Sequence, residues 1–338
     1  MPSSSSSSID PAILRALALD ASSKISTHGG SGFASTFRIT TPSTSVFIKT
    51  SSSSGAAVMF QGEHASLNAI HDAVPSLCPK SFAWGQLDKG GYFLATEFLD
   101  LSGRGGAGSR NKGGSGMSLA QKLAKLHSTP APVPDGYESP QFGFPVQTCC
   151  GDTPQSNTYT SSWADFFTKH RLLAILKRGE KNNGPDHELR RVVERTVSEV
   201  VPKLLADGHL GGKDGIKPVV VHGDLWSGNK SKGCFVGRDQ TNPEEVGAVE
   251  DVVFDPSACN AHSEYDLGIM NMFGGFGSSF FKEYHAILPK TEPENEYADR
   301  VALYESYHHL NHWAIFGGGY KSGAMGILKS LLKKYGDK

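Results

Sequence analysis

No run of this chain stays apolar for the ~20 residues that a membrane-spanning helix requires, and the amino terminus lacks a basic segment leading into an apolar one. Neither membrane insertion nor secretion is expected, and the cytoplasm is the expected compartment. Net charge is also missing. The 33 Lys and Arg residues stand against 34 Asp and Glu, for a formal charge of −1. That balance gives no electrostatic footprint for a nucleic-acid backbone or an anionic lipid surface. Cysteine is scarce: five residues, odd in number and irregularly spaced, with Cys149 and Cys150 adjacent and no second pair at zinc-ligand spacing. This excludes a disulfide framework and a zinc ribbon, and reduced, mostly buried thiols are expected.

What the chain does have is a run of β-branched residues, Val219-Val220-Val221, that ends in His222-Gly223-Asp224-Leu225-Trp226-Ser227-Gly228-Asn229. The pattern is H-x-D-x-x-x-x-N. A strand that delivers a carboxylate into a loop, with a carboxamide five residues on, suits phosphoryl transfer: Asp224 can accept a proton from a hydroxyl, and Asn229 can help hold the magnesium that carries nucleotide phosphates.

Other parts of such a site follow in workable order. Gly29, Gly30 and Gly32 lie in a Gly/Ser cluster ahead of the alternating run Thr36 to Thr40, and glycines let backbone N–H groups approach phosphates. Lys49 closes the next apolar strand, Val46-Phe47-Ile48, and supplies a point charge for the same phosphates. Glu63 falls on a segment with apolar residues near helical spacing, Phe60, Leu67 and Ile70, and is the natural partner for Lys49. Val252-Val253-Phe254 ends in Asp255, a magnesium ligand by position. Taken singly, each has an ordinary explanation: a loop, an edge charge, a helix-surface carboxylate, a turn before Pro256. A chain without this function has no reason to place all five in this sequence, so a small-molecule kinase is expected.

His222-Gly223-Asp224 to Asn229, Phe254-Asp255-Pro256-Ser257-Ala258, His262 to Leu267, Met272-Phe273-Gly274-Gly275-Phe276, Leu310-Asn311-His312-Trp313 and Phe316 to Tyr320 together resemble the fructosamine kinase, or ketosamine-3-kinase, family. Phe142-Gly143-Phe144 and Thr148-Cys149-Cys150-Gly151 support the likeness, which extends roughly over residues 10–335. Aminoglycoside phosphotransferases and choline kinases share the H-G-D and D-x-x-x-x-N elements, but not Trp226 within them. The resemblance implies a bilobal, protein-kinase-like α+β fold. It also implies an ATP- and magnesium-dependent transfer to the 3-hydroxyl of ketosamines, on glycated proteins or free, after which the adduct leaves and the amine is restored. Ribulosamines and erythrulosamines are the expected substrates ahead of fructosamines. Phe33 stands where some members carry a redox-active cysteine, so loop-disulfide control is not expected.

On that plan, residues 1–9 form a Ser-rich disordered tail, 10–97 a β-rich lobe, 98–117 a hinge with a flexible Gly-rich insertion, and 118–338 a mostly helical lobe. Asp10-Pro11 opens a first helix through Ile13, Leu14, Leu17 and Leu19, and Ser118 to Gln121 reads as a capping box. Long helices are expected at about 161–178 and 186–206, with 237–247 a polar turn between two strands. Glu97, Phe98 and Leu99, at the end of the strand Tyr92 to Leu99, are placed to meet adenine through backbone groups. Trp226, an indole two residues after a loop carboxylate, is placed to stack on the C–H face of a sugar. His222 and Asp266 have structural roles: His222 bonds backbone, and Asp266 completes a cap with Ser263 or braces the loop. A monomer is expected. The alternatives are an aminoglycoside- or choline-type kinase of the same fold and a non-catalytic nucleotide-binding scaffold.

Overall fold

The computed structural model describes residues 9–20, 22–31, 34–42, 44–101, 116–236 and 248–337. Gly32, Phe33, most of the Ser-rich tail, all but Gly116 of the expected Gly-rich insertion at 103–116 and the expected polar turn at 237–247 lie outside these residues, and the chain is α+β. The amino-terminal part runs α1 (Pro11–Leu17), β1 (Lys24–Ser31), β2 (Ala34–Thr40), β3 (Ser45–Ser51), α2 (Ala56–Ala73), β4 (Ser81–Gln86) and β5 (Tyr92–Asp100). After α3 (Leu119–Ser128) come the short strands β6 (Thr148–Cys150) and β7 (Thr153–Gln155). Helices α4 (Trp163–Phe167), α5 (Leu173–Asn183), α6 (His187–Arg195) and α7 (Val201–Leu205) lead to β8 (Val219–Val221). Strands β9 (Lys230–Val236), β10 (Glu250–Val253) and β11 (Cys259–Ala261) are followed by α8 (Tyr265–Phe273), α9 (Ser278–Ile287), α10 (Tyr297–Phe316) and α11 (Tyr320–Tyr335).

Strands β1 to β5 form an antiparallel sheet that continues through β9 and β10. Alternation in β3 does the sorting. Val46 and Ile48 enter a small core with Ile9, Ile13, Ile39 and Phe93, under α1. The period of two then turns Lys49 to the opposite face, toward α2. Ile9, assigned by composition to the tail, belongs to this core, because an apolar side chain next to the Asp10 cap is worth burying. Leu19 falls beyond the end of α1, where Ala18 takes a left-handed conformation. The second core is larger. It packs the inner face of α2 against α3, β8 and the helices around Trp163, Tyr265 and Tyr304.

The two long helices expected at 161–178 and 186–206 are each interrupted by a π turn, at Thr168–Leu172 and Thr196–Val200. In the second, Pro202 has no N–H for the regular ladder, and the register shifts ahead of it. Periodicity alone does not reveal such a shift. Lys122 of α3 is fully buried, with its ammonium 2.7 Å from Glu250, 2.8 Å from the Ser76 carbonyl and 2.9 Å from that of Asp251. It anchors β10, the strand that leads to Asp255. The capping box of α3 is present as read, Ser118 accepting from the Gln121 N–H and Gln121 from the Ser118 N–H.

Two histidines in the large core are held neutral. His308 is buried with neither ring nitrogen bonded among the described residues, and burial holds its pKa down at about 3. His262 bonds the Tyr304 and Thr291 hydroxyls, and burial holds it at about 4. The unfolded chain takes up these protons below its ordinary 6.5, and the folded state does not. The stability they leave intact above 6.5 is therefore lost as the pH falls toward 4 and then 3. Urea unfolding should reveal a loss of about 2 kcal/mol per histidine between roughly pH 7 and pH 5. His308→Phe should remove its share of that slope; an unchanged slope would contradict the assignment.

Candidate active site

The site begins where β8 ends. Val219, Val220 and Val221 are all buried and pair with β11. The next residue able to continue the chain inward is Gly223, with φ +80° and no room for a Cβ, which would lie 2.0 Å from the Ser257 carbonyl oxygen. The backbone N–H groups of His222 and Gly223 leave the ladder here and both donate to Asp266, at 2.8 and 2.7 Å. His127 Nε2 gives the same carboxylate a third contact at 3.1 Å. Of the two roles expected for Asp266, the cap with Ser263 is absent, since α8 has no side-chain cap, and the bracing of the loop is present. Asp266 has turned instead to the catalytic loop, where two buried backbone donors need an acceptor.

His222 makes the backbone contacts expected of it. Its Nε2 donates to the Phe254 carbonyl at 3.1 Å and its Nδ1 accepts from the Asp224 N–H at 3.2 Å. That pairing fixes the tautomer of a neutral ring, in keeping with burial holding its pKa below the ordinary value. Asn229 closes the loop by donating to the Asp224 carbonyl at 2.9 Å, and its own carbonyl accepts from the Phe254 N–H at 3.1 Å. The stretches around Asp224 and Asp255 are thereby tied side by side.

Asp255 is one of two non-glycine residues with positive φ among the described residues, at +56°. This conformation, held by Pro256 behind it and β10 before it, brings its carboxylate to 2.5 Å from Lys49 Nζ. Lys49 also bonds Glu63 of α2 at 2.6 Å. Burial works against the Lys49 charge, but the Asp255 and Glu63 carboxylates outweigh it and hold the ammonium well above its usual pKa. Asp255 is held low by Lys49 despite partial burial, and burial leaves Glu63 raised despite the same ammonium. Asp224 has no cation of its own among the described residues: burial, a Cys150 thiol bond that partly offsets it, and the Asp255 charge leave it pushed up to about 8.

Lys49, Glu63, Asp224, Trp226, Asn229 and Asp255 all line one cavity of about 420 Å³. Ala34, at the start of β2, borders it beside the β1–β2 hairpin. Gly29 and Gly30 lie within β1, with Gly30 paired to Ser35 across a bulge, so the cluster is mostly strand and not an open loop. Glu97, Phe98 and Leu99 are outside the lining. They sit in β5, where Glu97 accepts from the Lys80 N–H and Phe98 and Leu99 pair with β9. Trp226 is 39% exposed, its indole folded over Gly228, where a Cβ would lie 2.1 Å from the ring, and 5.7 Å from Phe273. The lining also includes Cys149, Cys150, Phe273, His312, Phe316 and Tyr320, whose place in the site had no signal in the sequence beyond the family-like segments around them. Asn229 and Asp255 offer hard oxygen donors but, among the described residues, no third carboxylate or histidine completes a resident metal site. Such a set fits magnesium, which binds one or two protein oxygens and takes the rest from phosphate and water.

The fructosamine kinase family model matches residues 9–334. The ketosamine-3-kinase of Mus musculus is 33% identical over 305 residues, 85% of this chain and 88% of the relative. A chloroplastic protein-ribulosamine 3-kinase of Arabidopsis thaliana is 34% identical over 310 residues, 92% of this chain and 83% of the relative. Among solved structures, a fructosamine-3-kinase candidate from Thermobifida fusca superposes with TM-score 0.68 at 22% identity, covering 92% of this chain and 93% of that one. An aminoglycoside phosphotransferase APH(4)-Ia in ternary complex with AMP-PNP and hygromycin B gives 0.55 at 12% identity, over 96% and 98%. These structures establish the protein-kinase-like fold.

Asp266→Asn leaves one acceptor oxygen for three donors and sets an amide N–H₂ against backbone N–H. Chemical denaturation should find the variant less stable by about 2–4 kcal/mol. A stability within experimental scatter of the parent would refute the bracing role.

Proposed function

Because the chain belongs to the fructosamine kinase family, we propose that it is an ATP-dependent kinase acting on the 3-hydroxyl of ketosamines, the sugar adducts of lysine amines, protein-bound or free. Ribulosamines and erythrulosamines are its first substrates, with fructosamines behind them. The carrying observation is a single cavity lined by Lys49, Glu63, Asp224, Asn229 and Asp255. The named activities of the mouse and plant relatives support the same substrate class.

In this reading Asp224 takes the proton of the 3-hydroxyl as that oxygen bonds to the γ-phosphorus. The bond to the β–γ bridging oxygen breaks, and ADP departs with the electron pair. A carboxylate raised to about 8 is a stronger base near neutrality than an ordinary one. Lys49, held charged and aimed by Glu63, meets the nucleotide phosphates; Gly29 and Gly30 of β1 cover them, with Gly32, outside the described residues, as a third glycine for the same phosphates. Adenine extends toward the end of β5, to backbone groups of Glu97, Phe98 and Leu99. Asn229 and Asp255 hold magnesium, which when bound offsets the negative charge of the phosphates. Trp226 stacks on the sugar, while His222 and Asp266 hold the loop. The chain then divides into lobes at 10–97 and 118–338 with a hinge at 98–117. It works as a cytoplasmic monomer, with neither nucleic acid nor membrane as partner. Loss of the phosphorylated adduct restores the amine, which makes the role deglycation and protein repair.

Incubation with ATP, magnesium and ribulosyl-, erythrulosyl- and fructosyl-lysine, read by mass, tests the activity directly; no phosphate transfer to any of the three would overturn it. Asp224→Asn should cut turnover by about two to four orders of magnitude with nucleotide affinity nearly unchanged. Asp255→Ala should abolish transfer and weaken nucleotide binding in magnesium but not in EDTA, because the lost contact is made through the ion. Equal titrations of parent and variant in magnesium would reject that assignment.

A further inference from the structure

The charges lining the cavity are unevenly placed. Its carboxylates are Glu63, Asp224 and Asp255, all at the end where phosphate is transferred, and Lys49 already bonds two of them. The rest of the lining has no acidic side chain among the described residues and is walled by rings. Trp226 lies 5.7 Å from Phe273, Phe273 5.0 Å from His312, and His312 5.8 Å from Phe316 and 5.2 Å from Tyr320, centroid to centroid. Three of these rings face solvent more than core residues do: Trp226 at 39%, Phe273 at 36% and Phe316 at 62% exposure. Burial holds His312 below its ordinary pKa, so it adds no positive charge, and its Nδ1 donates to the His308 carbonyl at 2.8 Å.

An aromatic wall with no carboxylate is a poor receptor for a polycation, which needs several anions, and a good one for a single diffuse cation, which is drawn to ring faces. We infer that this wall recognises the protonated secondary amine of the acceptor, so that the selected substrate is a monocationic ketosyl-amine and not merely a ketose. The inference rests on the ketosamine reading above. In such an acceptor the nitrogen is only a few bonds from the 3-oxygen. With the hydroxyl on Asp224, the ammonium reaches the neighbouring rings, Trp226 and Phe273 first. The lysine stem then leaves past Phe316 at the open rim, which gives a protein-borne adduct its way out.

The test compares two acceptors, ribulosyl-lysine and an ether analogue in which oxygen replaces the ketosyl nitrogen, with the parent enzyme, Phe273→Leu and Phe316→Leu. Leucine keeps apolar bulk and removes the ring face, and a ratio of kcat/KM values is unaffected by the fraction of folded enzyme. The parent should favour the amine by about tenfold or more, and each variant should lower the amine-to-ether ratio about three- to tenfold, chiefly through KM for the amine. Equal use of amine and ether by the parent, or equal losses for both acceptors in the variants, would overturn the inference and leave the rings as apolar packing. Transfer to neither acceptor by the parent would overturn the ketosamine reading, and this inference with it.

Discussion

The buried carboxylate of Asp266 is the constraint on which the site depends. At the end of β8 two successive backbone N–H groups, of His222 and Gly223, turn away from the ladder into the interior, where an unmet donor costs on the order of 1–3 kcal/mol. One anion meets both and takes a third contact from His127, which in turn bonds Tyr284. Burying a charge is unfavourable unless it is hydrogen-bonded on every side, and here it is. The peptide between His222 and Gly223 is thereby held in place, and the glycine, open to φ +80°, sets the direction in which Asp224 leaves. His222 carries the constraint onward, since its second nitrogen bonds the Phe254 carbonyl one residue before Asp255.

Charge in the cavity is then divided by position. Lys49 sits between Glu63 and Asp255, so Asp255 stays ionised, while Asp224, without a cation of its own among the described residues, is pushed up to about 8. Two carboxylates in one cavity with pKa values driven apart are a recurrent way to obtain a base and a permanent anion from the same residue type. The separation depends on long-range anchors as much as on the cavity. Lys122, far from the cavity in sequence, holds β10 through Glu250 and the Asp251 carbonyl, and β10 ends two residues before Asp255.

Legibility from the sequence varied with how local the cause was. Asp10-Pro11 and Ser118 to Gln121 are complete capping signals, and both helices start where those residues place them. Helices α8 to α11 lie close to the spans that their own apolar stripes between breakers predict, about 264–273, 278–287, 297–315 and 322–335. Strand β4 and the β6–β7 hairpin had no such signal. Short strands are decided by what they pair with, and Cys150 of β6 meets Asp224 only through the fold. The Ser263 cap was a reasonable local reading, but Asp266 had a stronger claim on it from a loop 43 residues away in sequence.

The sequence by itself determined the order of the chemical groups: a lysine at the end of one strand, a carboxylate on the next helix, an H-x-D-x-x-x-x-N loop and a second strand ending in Asp255. It could do so because strand and helix periods are local, and they dictate which side chains share a face. Only the tertiary structure decided which of those groups meet, that Lys49 is shared by Glu63 and Asp255, and that, among the described residues, Asp224 is left without a cation and the far end of the cavity is aromatic and without carboxylates. These depend on distances between residues far apart in the chain, and on burial, which no local pattern encodes.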